Sequence, residues 1–344
     1  MAEERSSASG FEVTLGGQRF YQANEEGGVQ LVVVEDHVDM VDMCTLRMGG
    51  MEDQPSWDWK IGQDVNAKVG KGADAIFEGQ ITSLDPGYQV EGISTMNIRA
   101  LDKMHILGRG RSTRFFEEMS DGDIVKKVAG EAGVPVGDCE GGSTGKYTMQ
   151  RNESNVAFLK RLAARNNFVL RMDHGKLTFK KANFGGGGFT LKMGENLRSL
   201  RLSYNSVDQV QKVVCRGWDV MKKEAIVGEA TTGDVQKIGG GQLGADVAAQ
   251  FGKSTAYITD VPILSQDAAK AVAKAEMNRL ARQFCRGSAT IQGAEQVRAG
   301  TTVTIEGLQK GVNGEVFVVS SRHIISNRTG YSTEFSFCAT SLGG

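Results

Sequence analysis

Residues 265–339 constrain the fold most strongly, because their hydrophobic period changes from helical to strand-like within one stretch. Apolar positions first recur at steps of three and four residues, which predicts one amphipathic helix over about 266–284. Apolar and polar residues then alternate at 301–306, and the runs at 315–319 and 334–337 are also typical of strands. We expect a helix laid on antiparallel strands, with no candidate catalytic residue. The apolar face of the helix consists of Ala269, Val272, Ala273, Met277, Leu280, Ala281 and Phe284.

Length and charge narrow the class of protein. A chain of 344 residues is long enough for about two or three domains. Charged residues make up 24% and almost cancel to a net charge of -1, so the basic surface of a nucleic-acid-binding protein or a polybasic membrane patch is missing. With 45 glycines and 4 prolines, the composition favours many tight turns between strands over Pro-rich disorder.

The five cysteines are far apart and odd in number, and no C-x-x-C pair exists for zinc or redox chemistry. They predict free thiols in a protein made in a reducing compartment. The N-terminal residues lack the apolar core of a signal peptide, and the longest aliphatic runs, such as 31–34, are far shorter than a membrane span. We therefore expect no membrane insertion and no export by the general secretory route.

The first part of the chain has a β pattern. Residues 1–10 are small and polar, which predicts a flexible tail. Residues 11–110 are predicted to form a first β-barrel, with strand-like runs at 31–34 and 76–81. Residues 57–65 alternate between apolar and polar side chains, which suits a strand on a barrel wall.

Residues 111–192 change character and predict a small α/β module. Ser120 can cap a first helix, and a second helix is expected from about 154 to 165. Two strands follow, at 168–172 and 176–180, joined by a short turn.

The rest of the chain, residues 193–344, is predicted to form a second, related β-barrel. A Gly-rich link at 184–189 leads into it. An extended arm at about 235–258 precedes the helix at about 266–284. The expected fold class is therefore α+β and mostly β: two related β-barrel domains with a small α/β module between them and an amphipathic helix in the C-terminal domain.

Several segments together carry a resemblance to a known family. Residues 150–162 fit the pattern Q-x-N-E-S-x-x-x-F-L-x-R-L. Residues 298–308 read R-x-G-x-x-V-x-I-x-G-L, and they are followed in order by the strand at 314–319, by His323 and by the segment 330–335. This order resembles the phage late control gene D family, the baseplate hub proteins of contractile tails, which are related to the N-terminal part of VgrG spike proteins.

The resemblance includes Gly217-Trp218-Asp219 and covers roughly residues 11–340. It implies a homotrimer whose two barrels per chain make a ring of pseudo-sixfold symmetry, an adapter between a hexameric inner tube and a trimeric spike. The implied partners are the spike protein, the inner tube or tube-initiator protein and baseplate wedge proteins, without nucleic-acid readout. Synthesis in the bacterial cytoplasm and assembly into a virion tail baseplate or injection-system particle are also implied. Many VgrG chains continue into an OB-fold and a β-helical spike, so the spike is expected here as a separate protein.

No residue is predicted to serve catalysis, cofactor binding or metal binding. Residues 141–146 have the composition of a phosphate loop, but Glu140 and Tyr147 stand where the motif requires Gly and Ser or Thr, so a turn is expected. The histidines lack the spacing of a metal pair and are expected to be single surface or packed residues. They are His37, His105, His174 and His323.

The acidic pairs predict solvated faces or helix starts, because a glycosidase needs two carboxylates facing across a cleft. No G-x-S-x-G elbow supports a serine hydrolase. The helix within 120–134 is similar to a LysM carbohydrate-binding repeat, which leaves a tail-associated peptidoglycan-binding or wall-degrading protein as the alternative function. The acidic residues are Glu25 with Glu26, Glu35 with Asp36, Glu117 with Glu118, and Asp121 with Asp123.

Overall fold

The computed structural model is mostly β, with 51% of residues in strands and 18% in helices, and it is built around a curled half-barrel sheet. This confirms the expected mostly β class. The predicted tail, except Gly10, lies outside the described residues, as do Glu25, Glu26, Trp57 and part of the link at 184–189. The structure describes residues 10–21, 28–49, 58–69, 74–90, 94–185, 188–309 and 312–341.

The first seven strands form one antiparallel group. They are β1 (Phe11–Leu15), β2 (Gln18–Tyr21), β3 (Gly28–His37), β4 (Met43–Gly49), β5 (Asp64–Val69), β6 (Ala75–Gly87) and β7 (Thr95–Leu101). Their order in the sheet is β3-β4-β7-β6-β5-β1-β2. Phe11, Val13 and Leu15 of β1 alternate with half-buried residues, so one face of the strand enters a core shared with β3 to β7.

The middle of the chain forms the predicted α/β elements. They are β8 (Ser112–Ser120), α1 (Asp121–Glu131), β9 (Val136–Cys139), β10 (Thr144–Glu153), α2 (Asn155–Asn166), β11 (Phe168–Asp173) and β12 (Lys176–Lys181). β8 and β10 make an antiparallel ribbon, while β11, β12 and β9 make a sheet in which β9 runs parallel to β12. Both predicted helices are confirmed, and they meet in a core that contains Ile124, Val128, Phe158 and Leu162.

The Q-x-N-E-S segment forms the irregular end of β10 and the N-cap of α2. Gln150 is fully buried, and its side chain accepts from Arg114 Nε at 2.8 Å and donates to the Glu153 carbonyl at 2.9 Å. Ser154 caps α2 by accepting from the Ala157 N–H at 3.3 Å. These residues carry the most specific part of the family resemblance, and their side chains fix the backbone where β10 ends and α2 begins.

The remaining strands divide between two sheets. The elements are β13 (Phe189–Lys192), β14 (Leu197–Tyr204), β15 (Lys212–Asp219), β16 (Glu224–Thr231), α3 (Gly244–Ala248), β17 (Thr255–Ile258), α4 (Gln266–Ala281), β18 (Cys285–Gln292), β19 (Thr302–Glu306), β20 (Gly314–Ser326) and β21 (Gly330–Ala339). One of the two is a separate three-stranded sheet of β15, β16 and β17, and the other strands belong to the large sheet. The stretch 235–258, expected as an extended arm, instead contains α3 and β17, which pairs in parallel with β15.

Helix α4 packs on β15 and β16 and not on the strands that follow it. Ala269, Ala273 and Met277 of α4 share a core with Val213 of β15 and other residues of that small sheet. Gly228 of β16 lies so close to the helix that an added Cβ would be 2.2 Å from the carbonyl carbon of Ala269. The expectation that the helix lies on the strands of 301–337 is therefore wrong, because periodicity defines an apolar face but not the sheet that covers it.

Strand β20 joins the first and last parts of the chain in one sheet. Its residues 320–326 pair antiparallel with residues 31–37 of β3, whereas its residues 314–317 pair with 302–305 of β19. The resulting 13-stranded sheet runs β14-β18-β21-β20-β3-β4-β7-β6-β5-β1-β2, with β19 paired to β20 and β13 paired to β19. The strands of the two predicted barrels thus share one hydrogen-bonded sheet, and their division into two barrels stays a prediction.

Candidate functional site

A cluster of buried polar groups lies where β3 meets β20. Asp36 of β3 is only 4% exposed, and its carboxylate forms an ion pair with Arg298. Ser321 of β20 donates to the same carboxylate through its N–H at 3.1 Å and through its hydroxyl, and the Ala299 N–H donates at 3.3 Å. Burial alone would raise the pKa of Asp36, but the charge of Arg298 and the hydrogen bonds hold it below its ordinary value. We call these residues, with His323, the β3–β20 junction.

His323 extends this junction toward β21. Its Nε2 lies 3.1 Å from the Ser321 hydroxyl, and its Nδ1 lies 2.8 Å from the Tyr331 hydroxyl and 3.2 Å from Thr333 Oγ1. Burial lowers the pKa of His323 to about 4, so the imidazole is neutral at pH 7.

Asp36, Ser321 and His323 are the residue types of a catalytic triad, but they are connected differently. In a triad the carboxylate holds the imidazole, and the imidazole faces the serine. Here the carboxylate of Asp36 accepts from Ser321 itself, and all three side chains are sealed in the sheet, with His323 at 0% exposure. The cluster therefore joins strands and offers no accessible nucleophile.

A second buried acidic pair lies beside the junction. Asp102 accepts through Oδ2 from the Asp42 N–H at 2.8 Å and through Oδ1 from the Met104 N–H at 2.8 Å. Asp42 accepts from the His37 N–H at 3.2 Å. Burial raises the pKa of Asp102 to about 6, and burial together with Asp36 and Asp102 raises the pKa of Asp42 well above its ordinary value. The sequence analysis missed this pair because 60 residues separate its members.

Asp42 and Asp102 line a cavity of about 340 Å³ that the three parts of the chain build together. Arg171 and Arg298 also line it, and Arg298 already pairs with Asp36. Both oxygens of Asp102 are engaged by backbone N–H groups, so its carboxyl is committed to holding the 3-10 helix Lys103–Gly108 and the neighbouring loop. Within the described ranges, no set of three or more His, Cys, Asp or Glu residues could hold a metal ion.

The predicted acidic residues occupy unlike environments. Glu35 is half-exposed and pairs with Arg322 at 3.2 Å, while its neighbour Asp36 faces the interior, so the expectation of a solvated face is wrong for Asp36. The reason is an arginine 262 residues away, which a local pattern does not reveal. Asp121 starts α1 as expected of a helix-start residue, but it is fully buried against Arg165.

The remaining acidic residues lie at the surface of the described structure. Glu117 and Glu118 are exposed on β8. Asp123 accepts a hydrogen bond from Ser120 at 2.7 Å, and this bond, with the nearby Lys126, lowers its pKa. Ser120 caps α1 through the Asp123 N–H at 3.2 Å, as predicted.

The histidines lie apart from one another. His323 is packed in the junction, and His174 sits in the β11–β12 turn with a φ of 45°. His105 Nε2 is buried without a hydrogen-bond partner, and His37 Nδ1 lies 2.5 Å from the Val38 carbonyl. In the described structure each histidine is thus a single surface or packed residue, and the absence of a metal role stays a prediction.

The glycine-rich run at 141–146 lies in a loop and at the start of β10. The Gly141 carbonyl accepts from the Gly122 N–H at 2.8 Å, and the Ser143 N–H donates to Asn166 at 2.8 Å. These contacts tie the loop to α1 and α2, which fits the predicted turn.

Three exposed apolar side chains lie close together at the tip of the hairpin formed by β15 and β16. Trp218 is 55% exposed, Val220 75% and Met221 91%. Asp219 accepts from the N–H groups of Met221 and Lys222 at 3.0 and 3.1 Å, so the tip is an ordered turn. We call residues 217–224 the hairpin tip.

A second apolar area lies in a groove between the α/β module and α4. The groove has a volume of about 1230 Å³, and Tyr147, Tyr257 and Leu264 line it while remaining 45–61% exposed. Tyr147 also stacks on Phe115 with ring centroids 5.4 Å apart. Exposed apolar groups of this size mark contact surfaces with other proteins more often than catalytic sites.

The sequence matches the model of the Alg8 N-terminal domain family over residues 22–327. Among curated proteins, none has a matching sequence. None of the helices that the structure describes combines the length and the apolar character that crossing a membrane requires.

Solved structures with a similar fold include phage tail proteins. The 43 kDa tail protein of prophage MuSo2 from Shewanella oneidensis has a TM-score of 0.72 at 16% identity, over 95% of this chain and 98% of that chain. The tail protein from Neisseria meningitidis MC58 has a TM-score of 0.70 at 12% identity, over 96% and 97%. An Escherichia coli component of the type VI secretion system, described as structurally similar to the T4 tail proteins gp27 and gp5, has a TM-score of 0.65 at 12% identity, over 96% and 77%.

Proposed function

The chain belongs to the Alg8 N-terminal domain family, and from its fold we propose that it is a structural baseplate hub of a contractile phage tail or phage-tail-like injection system. The fold is similar to those of two phage tail proteins over 95–96% of this chain. It is also similar to that of a type VI secretion component. The chain would be the counterpart of the late control gene D protein.

The observation that carries the proposal is the single sheet that runs through β3 and β20. A trimeric hub with two strand groups per chain can present six similar surfaces to a hexameric tube and three identical surfaces to a trimeric spike. This requires that the two strand groups of each chain keep a fixed position relative to each other. Direct pairing of residues 320–326 with 31–37 supports such a rigid relation. We retain the division into 11–110, 111–192 and 193–344 as part of this proposal, with the first and last segments as the two barrels.

The exposed apolar surfaces support a role in assembly. The hairpin tip and the groove beside α4 carry the aromatic and aliphatic groups that form the buried centres of protein interfaces. The proposed partners are two further copies of this chain, a spike protein, the inner tube or tube-initiator protein and baseplate wedge proteins. The protein would be made in the bacterial cytoplasm and then assembled into the particle.

We propose no enzymatic role. The buried carboxylates of the β3–β20 junction and of Asp102 are occupied by internal donors. The LysM-like helix α1 buries Ile124, Val125 and Val128 in the core of the module, which leaves the peptidoglycan-binding alternative without a supporting feature.

Native mass spectrometry tests the proposal directly. The purified chain would be measured alone and after mixing with the proposed spike protein of the same particle. We expect a trimer, or a complex of three chains with three spike subunits. A stable monomer that does not bind the spike would overturn the hub assignment.

A further inference from the structure

A second surface pocket, unrelated to the junction, concentrates positive charge. It has a volume of about 650 Å³ and lies where the C-terminal end of α4 meets β14, β18 and β21. Its lining contains no aspartate or glutamate. The arginines that line it, here called the arginine pocket, are Arg201, Arg279, Arg282 and Arg286.

Three of these arginines form no salt bridge within the part of the chain that the structure describes, although the negative charge of Asp39 acts on Arg282. Arg279 is the exception, because its Nε and Nη2 both donate to Glu276 at 2.7 Å. Arg282 donates to the amide oxygen of Asn167 at 2.7 Å, and its guanidinium lies 5.8 Å from the ring centroid of Phe184. Neither of these neighbours carries a negative charge.

The strand register brings the other two arginines together. Arg201 of β14 pairs with Ser288 of β18, and Ser203 pairs with Arg286, so both arginines lie on the same face at diagonal positions. Two like charges at such spacing repel each other unless an anion lies between them.

A third arginine, Arg282, adds a partly desolvated positive charge to the pair formed by Arg201 and Arg286. The side chain is half-buried at the end of α4, and burial lowers its pKa. The pocket is also lined by Val319 and Phe337, which are apolar. A carboxylate that enters the pocket could form charge-assisted hydrogen bonds with these guanidinium groups, which are stronger than hydrogen bonds between neutral groups.

We propose that the arginine pocket binds a carboxylate-bearing segment of a partner protein, with an acidic side chain between Arg201, Arg282 and Arg286 and an apolar neighbour against Val319. Arginine is suited to this task because its planar fork binds a carboxylate through two parallel hydrogen bonds. The inference stands on the pocket and does not depend on the hub proposal.

A protein segment fits the pocket better than a nucleic acid does. The pocket is one recessed cluster of a size for one or two side chains, not a basic stripe along the surface. The chain as a whole carries a net charge of -1, so it has no overall positive charge that would attract a polyanionic strand to the surface outside the pocket.

Fluorescence anisotropy at low salt tests the proposal with a labelled peptide of alternating Glu and Leu. Its matched probe replaces every Glu with Gln, and a labelled single-stranded thymidine oligonucleotide represents the nucleic-acid alternative. The variants are R201E with R286E, the neutral pair R201Q with R286Q, and R198E as a control. Arg198 is exposed on the same strand but does not line the pocket. Thermal unfolding would show that each variant is folded.

We expect the Glu-Leu peptide to bind the wild-type chain at least tenfold more tightly than the Gln-Leu peptide. Both double variants should lose at least tenfold in affinity, with R198E within twofold of wild type. No binding to wild type, equal losses in R198E and the double variants, or preferential binding of the oligonucleotide would each overturn the proposal.

Discussion

The β3–β20 junction and the hairpin tip use their side chains in opposite ways. At the junction, Asp36, Arg298 and Ser321 come from segments far apart in the chain and are hydrogen-bonded to one another in the interior. At the hairpin tip, Trp218 and Met221 come from one short segment and contact little of their own chain. The junction is therefore complete within one molecule, whereas under the proposed function the tip is completed by another.

Because of this difference between the junction and the hairpin tip, the stability of the fold and the assembly with other chains can be tested separately. A buried ion pair is expensive to break because the remaining partner is left charged in the interior. An exposed apolar side chain contributes little to folding but much to an interface that buries it. Substitutions at the junction should therefore change the free energy of unfolding, and substitutions at the tip should change association.

The largest effect is expected for R298A. It leaves the buried carboxylate of Asp36 without its counter-ion and should lower the free energy of unfolding by about 3–5 kcal/mol. Denaturant-induced unfolding followed by circular dichroism measures this loss. The matched control is R322A on the same sheet, where Arg322 is 47% exposed and pairs with Glu35. The control should lose no more than about 1 kcal/mol, and equal losses would contradict the special role of the junction.

The base of the hairpin should behave like the junction and not like the tip. In G228A the new Cβ would lie 2.2 Å from the Ala269 carbonyl carbon of α4, so strand and helix must separate. We expect a loss of about 3 kcal/mol in the free energy of unfolding. In the control G233A the nearest atom, Thr231 Oγ1, would be 3.7 Å away. A loss in G228A no greater than in the control would show that α4 does not pack closely on β16.

Two buried groups near the junction should give opposite pH dependences. The folded-state pKa of His323 is about 4 against an ordinary value of 6.5, so its contribution to stability is complete above pH 6.5 and is lost as the pH falls through 4. The folded-state pKa of Asp102 is about 6 against 3.8, so its contribution is complete below pH 3.8 and is lost as the pH rises through 6.

The variants H323Q and D102N test these opposite pH dependences. The free energy of unfolding of each variant would be measured from pH 4 to 7 and subtracted from that of wild type. The advantage of wild type over H323Q should grow with rising pH, by up to about 3 kcal/mol. Its advantage over D102N should shrink over the same range. A flat difference for either variant would mean that the group titrates normally in the folded protein, and slopes of the same sign would mean that one of the two pKa values is shifted in the opposite direction.

The smallest effect on stability is expected for the double variant W218S with M221S. Both side chains are largely exposed, so the free energy of unfolding should change by no more than about 0.5 kcal/mol for each. Association with copies of the chain or with the spike should weaken at least tenfold, because large apolar groups dominate interface energies. The control V207S removes an 84% exposed side chain from a turn elsewhere. Unchanged association of the double variant would exclude the tip from the interface.

Local pattern was enough to predict much of the fold. The caps at Ser120 and Ser154 and the apolar periods of α1, α2 and α4 placed these helices to within a few residues. The switch to period two at 301–306 placed β19. These signals are local, because caps and amphipathic faces depend on residues within one or two turns.

Long-range pairing could not be predicted in the same way. The sheet that receives α4 and the pairing of β20 with β3 depend on residues far apart in the chain, which periodicity does not link. The same holds for Asp36, whose partner Arg298 is 262 residues away, and for the pair of Asp42 and Asp102. Alternating apolar residues predicted strands but not that both strand groups share one sheet.

The central claim is that the β3–β20 junction is complete in one chain, whereas the hairpin tip is covered only on assembly. Hydrogen exchange followed by mass spectrometry tests this claim most directly. It would be measured on the isolated chain and on the complex with the spike protein. The account predicts that backbone amides of residues 31–37 and 320–326 are strongly protected in both states, because the junction is complete in one chain. Amides of the hairpin tip, residues 217–224, should exchange quickly in the isolated chain and slowly in the complex. A tip that exchanges equally in both states, or a junction that becomes protected only on assembly, would contradict the account.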